Sequence, residues 1–211
     1  MKTRIFNLII IDESGSMQSI KKEAIDNVNE TIQTIRSAQK KHSEQEHFVS
    51  LVTFNDSVKM VYECVSADEV KELTAETYCP DCCTALYDAM GISLNALRKK
   101  VAEADKVLVT IVTDGEENAS CEYSGKAIKA LVDELKGKGW VFAYIGANQD
   151  VEAVAATISI TNVISFETTS KGTQMMTDCV NKGRERLYSC IAKPEFNSDI
   201  ANKNFFKDDE K

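Results

Sequence analysis

Asp12-Glu13-Ser14-Gly15-Ser16 sets one carboxylate and two hydroxyls at alternate positions, with a glycine between the serines. Alternate side chains of such a loop can turn toward one point, and small oxygen ligands facing one point suit a hard divalent cation such as Mg²⁺. Asp, Ser and Gly are also ordinary turn residues, and Ser14 or Ser16 can equally cap a following helix. Two further segments offer oxygen: Thr84, and Asp114 within Thr113-Asp114-Gly115-Glu116-Glu117. Asp12, Ser14, Ser16, Thr84 and Asp114, filled out with water, would make the octahedral oxygen shell that Mg²⁺ prefers.

The flanking patterns say how these residues can meet. The isoleucine-rich run from Ile5 to Ile11 reads as a buried strand ending at Asp12. Lys106 to Val112 (KVLVTIV) is the purest strand signal and ends at Thr113-Asp114. Phe48 to Phe54 and Val58 to Val65 read as a hairpin across the turn signal Asn55-Asp56-Ser57. Trp140 to Gly146 and Val163 to Phe166 give two more strands. Apolar residues at helical spacing predict helices over about 18–40, 84–101, 124–137, 148–156 and 170–191, with 66–77 a short helix or loop. Thr84 opens the helix that precedes the KVLVTIV strand.

Strands alternating with helices predict an α/β fold: a mostly parallel sheet, helices on both faces, and one antiparallel edge strand from the hairpin. Carboxyl ends of neighbouring parallel strands share one edge, where open α/β sheets bind ligands, so Asp12 and Asp114 can share a site. Residues 1–192 read as a single domain and the polar stretch 193–211 as a loose tail.

Asp12-x-Ser14-x-Ser16, Thr84 followed by Ala-Leu-Tyr-Asp-Ala, and Thr113-Asp114-Gly115 together resemble the von Willebrand factor A (vWA) domain over roughly residues 4 to 190. The resemblance implies a Rossmann-like sheet with the first strand central and a metal-ion-dependent adhesion site (MIDAS) at its carboxyl end. It assigns Asp12, Ser14 and Ser16 as core ligands, with Thr84 and Asp114 completing the site directly or through water. The implied cofactor is Mg²⁺, with Mn²⁺ or Ca²⁺ as substitutes. The implied partner is a protein presenting Asp or Glu to the open coordination position. In some members binding is coupled to movement of the last helix, here about 170–191.

The donor set favours binding over catalysis. Hydroxyl ligands are neutral, so two carboxylates leave a divalent site with little excess negative charge, and an incoming carboxylate is attracted. The alternative is a Mg²⁺-dependent phosphoester hydrolase using the same loops. Such a site needs a positioned base and a cation to hold phosphate. No Lys or Arg occurs in 12–19, 79–90 or 113–122. Glu13 is the nearest candidate base, but its position in the loop predicts an outward, solvated side chain. Glu116, Glu117 and Glu122 read as an acidic rim. His42 and His47 are expected at the surface, away from the strand-end loops.

A net charge of −8 argues against a nucleic-acid partner, and no stretch approaches the ~20 apolar residues of a membrane span. Seven cysteines, an odd number, predict reduced thiols in a cytoplasmic setting. Cys79-Pro80-Asp81-Cys82-Cys83 precedes Thr84 where glycine is the usual neighbour in the family. A C-x-x-C pair can bind zinc or do redox chemistry, but a structural zinc needs four ligands and only Cys64 or Cys121 is a candidate to join, which leaves free thiols as the simpler reading. A reversible Cys79–Cys82 disulfide would reshape the Thr84 loop. Tyr144-Ile145-Gly146-Ala147-Asn148-Gln149-Asp150 ends a strand on the same edge, with Gly146 read as a turn and Asn148 as a helix cap.

Overall fold

The computed structural model describes residues 2–147, 151–167, 169–191, 193 and 195–207. Strand β1 (Thr3–Asp12) is buried from Ile5 to Asp12 on both faces, as a continuous apolar run requires. It pairs in parallel with β2 (Gln45–Phe54) on one side and β4 (Lys106–Thr113) on the other. Beyond them lie the antiparallel β3 (Val58–Ser66) and the parallel β5 (Val141–Ala147) and β6 (Val163–Phe166), giving the order β3-β2-β1-β4-β5-β6. This is the expected mostly parallel sheet with one antiparallel edge strand and β1 central.

Helices α1 (Lys21–Lys41) and α5 (Ser170–Ile191) cover one face. On the other face lie α2 (Leu86–Leu97), α3 (Gly125–Gly137) and α4 (Val151–Thr157). A short 3-10 turn, Gly15–Ile20, joins β1 to α1. The chain leaves β1 through α1 to β2, then returns past β1 through α2 to β4. The strand order therefore reverses between β1 and β4, and the crevice at their carboxyl ends is where such sheets hold ligands.

β3 departs from a regular edge. Its register slips around Ser50, and Cys64 takes a left-handed backbone (φ 52°) with its N–H donating to Ser50 Oγ at 3.0 Å. Glu63 and Cys64 thus stand opposite one residue, a bulge. β6, at the other edge, is four residues long. Among the described residues no helix is long and apolar enough to cross a membrane.

Under α5 the otherwise apolar core holds a polar cluster. Arg184 is fully buried and donates to Thr110 Oγ1 at 2.6 Å and to Tyr188 Oη at 3.4 Å. Tyr188 donates to Asn7 Oδ1 at 2.5 Å, and Gln45 donates to the Tyr188 carbonyl at 2.7 Å. No carboxylate pairs with Arg184 among the described residues, and its Nε has no partner. A buried charge without a counter-charge costs stability. Arg184→Met, of similar length and apolar, is therefore expected to raise the unfolding free energy by about 1 kcal/mol, read as a higher urea midpoint. An unchanged or lower midpoint would show that the hydrogen bonds outweigh the desolvation.

Three expectations are corrected. His47 is not at the surface: it is fully buried, facing α5 from an inward position of β2. Its ring meets Tyr188 edge-on at 4.7 Å, its Nε2 lies 3.1 Å from Gln45 Oε1, and burial, helped by His42, pushes its pKa down to about 4. Within the stretch expected to be a loose tail, residues 195–207 pack on the domain. Asn197 caps α6 (Ser198–Asn204), and buried Asn202 accepts from Phe142 N at 2.9 Å and donates to Trp140 O at 2.8 Å, pinning the segment to the start of β5. Gly146 lies within β5 rather than in a turn. Asn148, Gln149 and Asp150, with the expected cap, lie outside the described residues.

Candidate functional site

Parallel register brings Ile11 level with Val112, so Asp12 and the Thr113-Asp114 pair emerge side by side. Asp12 Oδ1 accepts from Ser14 N at 2.7 Å, and Asp12 Oδ2 accepts from Thr113 Oγ1 at 2.6 Å. The first bond curls the loop back so that Ser14 and Ser16 face the strand ends. Their hydroxyls lie 3.1 Å apart, and Ser16 Oγ donates to Asp114 Oδ1 at 2.6 Å. Ser14 precedes the 3-10 turn, yet its side chain makes no capping bond. The hydroxyls are turned inward rather than spent on the helix end.

Gly115 measures the convergence. A β-carbon on it would stand 2.9 Å from Thr84 Oγ1, 3.5 Å from Ser16 Oγ and 3.6 Å from Asp12 Oδ2. Oxygens from three separate loops therefore border one small space, and any side chain at position 115 would collide with Thr84. All five sequence-predicted residues are gathered here: Asp12, Ser16 and Thr84 around that space, Asp114 and Ser14 through Ser16. Asp12, Ser14, Thr84 and Asp114 are buried, and Ser16 opens to solvent.

Neither carboxylate has a cationic partner among the described residues. Burial, with a smaller push from the neighbouring Asp114, raises the pKa of Asp12 to about 6 against the opposing pull of its hydrogen bonds; burial also raises Asp114. Two desolvated carboxylates facing neutral hydroxyls form a site short of positive charge. Among the described residues no group of three or more His, Cys, Asp and Glu side chains is placed to hold a metal, so any cation here would rest on hydroxyls as well as carboxylates.

The supporting residues were largely invisible in the sequence. Thr84 is fixed by Asn118, whose Oδ1 accepts from Thr84 N at 2.9 Å while the Thr84 carbonyl accepts from the N–H groups of Asn118 and Ala119. Asp88, in the first turn of α2, accepts three backbone N–H bonds, from Cys121 (2.8 Å), Glu122 (2.9 Å) and Tyr123 (2.7 Å). Glu117 is not part of an acidic rim. It takes the N–H groups of Tyr87, Ala119 and Ser120 and the Ser120 hydroxyl, joining the 117–120 loop to α2. Glu116 and Glu122 are exposed.

Glu13 also differs from expectation. Half-buried, its carboxylate accepts from Cys79 N at 2.5 Å, and its carbonyl accepts from Asp81 N at 2.9 Å. Gly15 N donates to Cys82 O at 3.1 Å, and Cys82 holds a left-handed backbone (φ 65°). The cysteine loop is thus fastened to the Asp12 loop at three points. Cys79, Cys82 and Cys83 are exposed and unbridged. Asp56 and Asp81 push the Cys82 thiol upward.

A comparison with curated proteins found no match. Among solved structures, the chain superposes on the PilB minor pilin of Streptococcus sanguinis with a TM-score of 0.65 at 15% identity, covering 92% of this chain and 64% of that one. The vWF domain of the type V pili tip protein Mfa5 of Porphyromonas gingivalis gives 0.61 at 9% identity, covering 93% and 99%. Proximal thread matrix protein 1 from the mussel byssus gives 0.57 at 17%, covering 87% and 46%. This chain thus spans about half to two-thirds of the pilin and the thread protein, and at these identities the likeness is one of fold. The von Willebrand factor type A domain profile matches residues 8–178, most of the chain. With that match and this Rossmann-like sheet, the chain belongs to the von Willebrand factor type A family.

Proposed function

We propose that the chain is a non-enzymatic, cation-dependent protein-binding module. Domains of this family generally bind protein ligands. In this reading Asp12, Ser14, Ser16, Thr84 and Asp114 form a MIDAS that holds Mg²⁺, with Mn²⁺ or Ca²⁺ as substitutes. The observation that carries it is the convergence of Thr84 Oγ1, Ser16 Oγ and Asp12 Oδ2 on the space above Gly115, in a site with two buried, unpaired carboxylates. A bound divalent cation would supply Lewis acidity and an open coordination position for a partner's Asp or Glu side chain. The chain's own residues do the rest: Ser14 N and Thr113 orient Asp12, Asn118 fixes Thr84, and Ser16 ties Asp114 to the loop. A reducing, cytoplasmic setting accompanies this reading, supported by the odd number of cysteines.

The hydrolase alternative has no phosphate-holding cation to draw on in the three loops. Glu13, the nearest candidate base, is engaged by Cys79 N–H.

The test is Mg²⁺ affinity by calorimetry across pH. The Asp12 pKa is raised, from 3.8 to about 6, so the cation-free fold prefers the protonated carboxyl. Its stability falls as pH climbs from about 4 through about 6, by up to about 3 kcal/mol, and is flat above. Mg²⁺ competes with that proton. Affinity is therefore expected to be level above about pH 7 and to fall roughly tenfold per unit below about pH 6. No Mg²⁺ binding at neutral pH, or binding indifferent to pH over this range, would end the metal reading.

A further inference from the structure

The cysteine loop is the feature that this function does not use. Cys79, Cys82 and Cys83 put three exposed thiols within five residues, directly before the Thr84 ligand. The loop's backbone hydrogen-bonds to the Asp12–Ser16 segment. Cys82 O takes the Gly15 N–H (3.1 Å), Asp81 N donates to Glu13 O (2.9 Å), and Cys79 N donates to Glu13 Oε1 (2.5 Å). A β-carbon on Gly15 would lie 3.4 Å from Cys82 O, so the two segments are in close backbone contact. Cys82 reaches this contact only with φ at 65°, a region that costs a non-glycine residue about 1–2 kcal/mol. Cys79 Sγ is meanwhile directed away, toward the carbonyls of Ala75 (3.8 Å) and Glu76 (3.6 Å). Bridging Cys79 to Cys82 would take the Cys79 sulfur off these carbonyls and pull on a backbone at Cys82 that is already in the left-handed region.

We propose that Cys79 and Cys82 are a thiol-modification site: they close to an intrachain disulfide by exchange with a glutathione-class disulfide, and the closure withdraws the Cys82 carbonyl from Gly15 and weakens cation binding at the adjacent oxygen cradle. The proposal rests on the metal reading of that cradle for its effect, but not for its chemistry. Cys79 thiolate attacks one sulfur of the glutathione disulfide, forming a mixed disulfide and releasing one glutathione thiolate. Cys82 thiolate then attacks the Cys79 sulfur, forming the Cys79–Cys82 bond and releasing the second glutathione. The cysteine pair loses two electrons, one glutathione disulfide gains them, and the two thiol protons end on the two released glutathiones. Exchange of this kind requires accessible thiols, which all three residues offer.

The experiment uses the full chain equilibrated in reduced or oxidised glutathione. Three readouts are taken: disulfide mapping by peptide mass spectrometry, hydrogen exchange at the Gly15 amide, and Mg²⁺ affinity. The oxidised buffer is expected to yield a Cys79–Cys82 bridge, faster exchange at Gly15, and Mg²⁺ affinity lowered by at least about fivefold, all reversed by dithiothreitol. In C79S and in C82S the difference in Mg²⁺ affinity between the two buffers disappears, whereas in C83S it persists. A bridge that leaves Gly15 exchange and Mg²⁺ affinity unchanged overturns the proposal, as does a bridge to Cys83 or no bridge. If Mg²⁺ fails to bind even the reduced protein, the metal reading falls. Gly15 exchange then still decides whether the disulfide loosens the loop.

Discussion

Asp12→Asn is expected to lower Mg²⁺ affinity by at least about a hundredfold and yet to make the cation-free protein more stable, not less. The two effects share one cause. Asp12 is fully buried, has no cationic partner among the described residues, and prefers to be protonated until about pH 6. Near neutral pH the folded chain therefore carries a desolvated charge whose natural compensation is a cation. Asparagine keeps an acceptor for Ser14 N and can still meet the Thr113 hydroxyl, but it carries no charge. At about pH 7.5 without Mg²⁺, the variant should gain about 1–2 kcal/mol in denaturant unfolding, and Mg²⁺ should no longer raise its melting temperature. Normal Mg²⁺ titration by the variant would remove Asp12 from the site. A destabilised variant would show that the carboxylate's hydrogen bonds outweigh its burial.

Asp88→Ala should cost about 3 kcal/mol of stability, since one carboxylate satisfies three consecutive backbone donors. The damage should spread. The loop it organises also carries Asn118, which fixes Thr84, so Mg²⁺ affinity should drop about tenfold although Asp88 reaches no bound ion. Asp88→Asn keeps an acceptor and should recover part of both losses. Amide exchange at 121–123 is the discriminating measurement. If those amides stay protected in Asp88→Ala, the loop is held by something else and the affinity argument through Asn118 fails.

The candidate oxygen ligands were legible because each closes or opens an element with a clear signal. Asp12 ends the Ile5–Ile11 run, Asp114 follows KVLVTIV, and parallel strands leave no choice about which edge those ends share. The same alternation implies a mostly parallel sheet, whereas the central place of β1 was implied by the family resemblance and the full strand order appears only in the structure. What escaped was whatever depends on a polar group meeting a distant partner. Asp88 looks like an ordinary helix-start acid, yet it collects amides from more than thirty residues away. His47 falls on a strand beside polar neighbours, which suggests exposure; only the docking of Tyr188 and Gln45 makes its burial tolerable. The 195–207 segment gives no clear apolar periodicity because scattered aromatics such as Phe196 and Phe205, together with asparagine amides, hold it in place.

The bulge at Cys64 has a consequence for how this domain can assemble. A flat outer strand presents a free row of amides and carbonyls onto which another polypeptide can zip. Here the outer row of β3 is broken where Glu63 and Cys64 share one opposite residue, and the Lys100–Glu63 ion pair (3.1 Å) lies beside the break. At the far side β6 offers only four residues. Neither margin is a good template for strand addition, so stacking sheet to sheet into fibres is disfavoured at both ends. On the proposed reading, recognition would fall to side chains on the loops rather than to backbone hydrogen bonding, and a side-chain grip can be switched by a single ion.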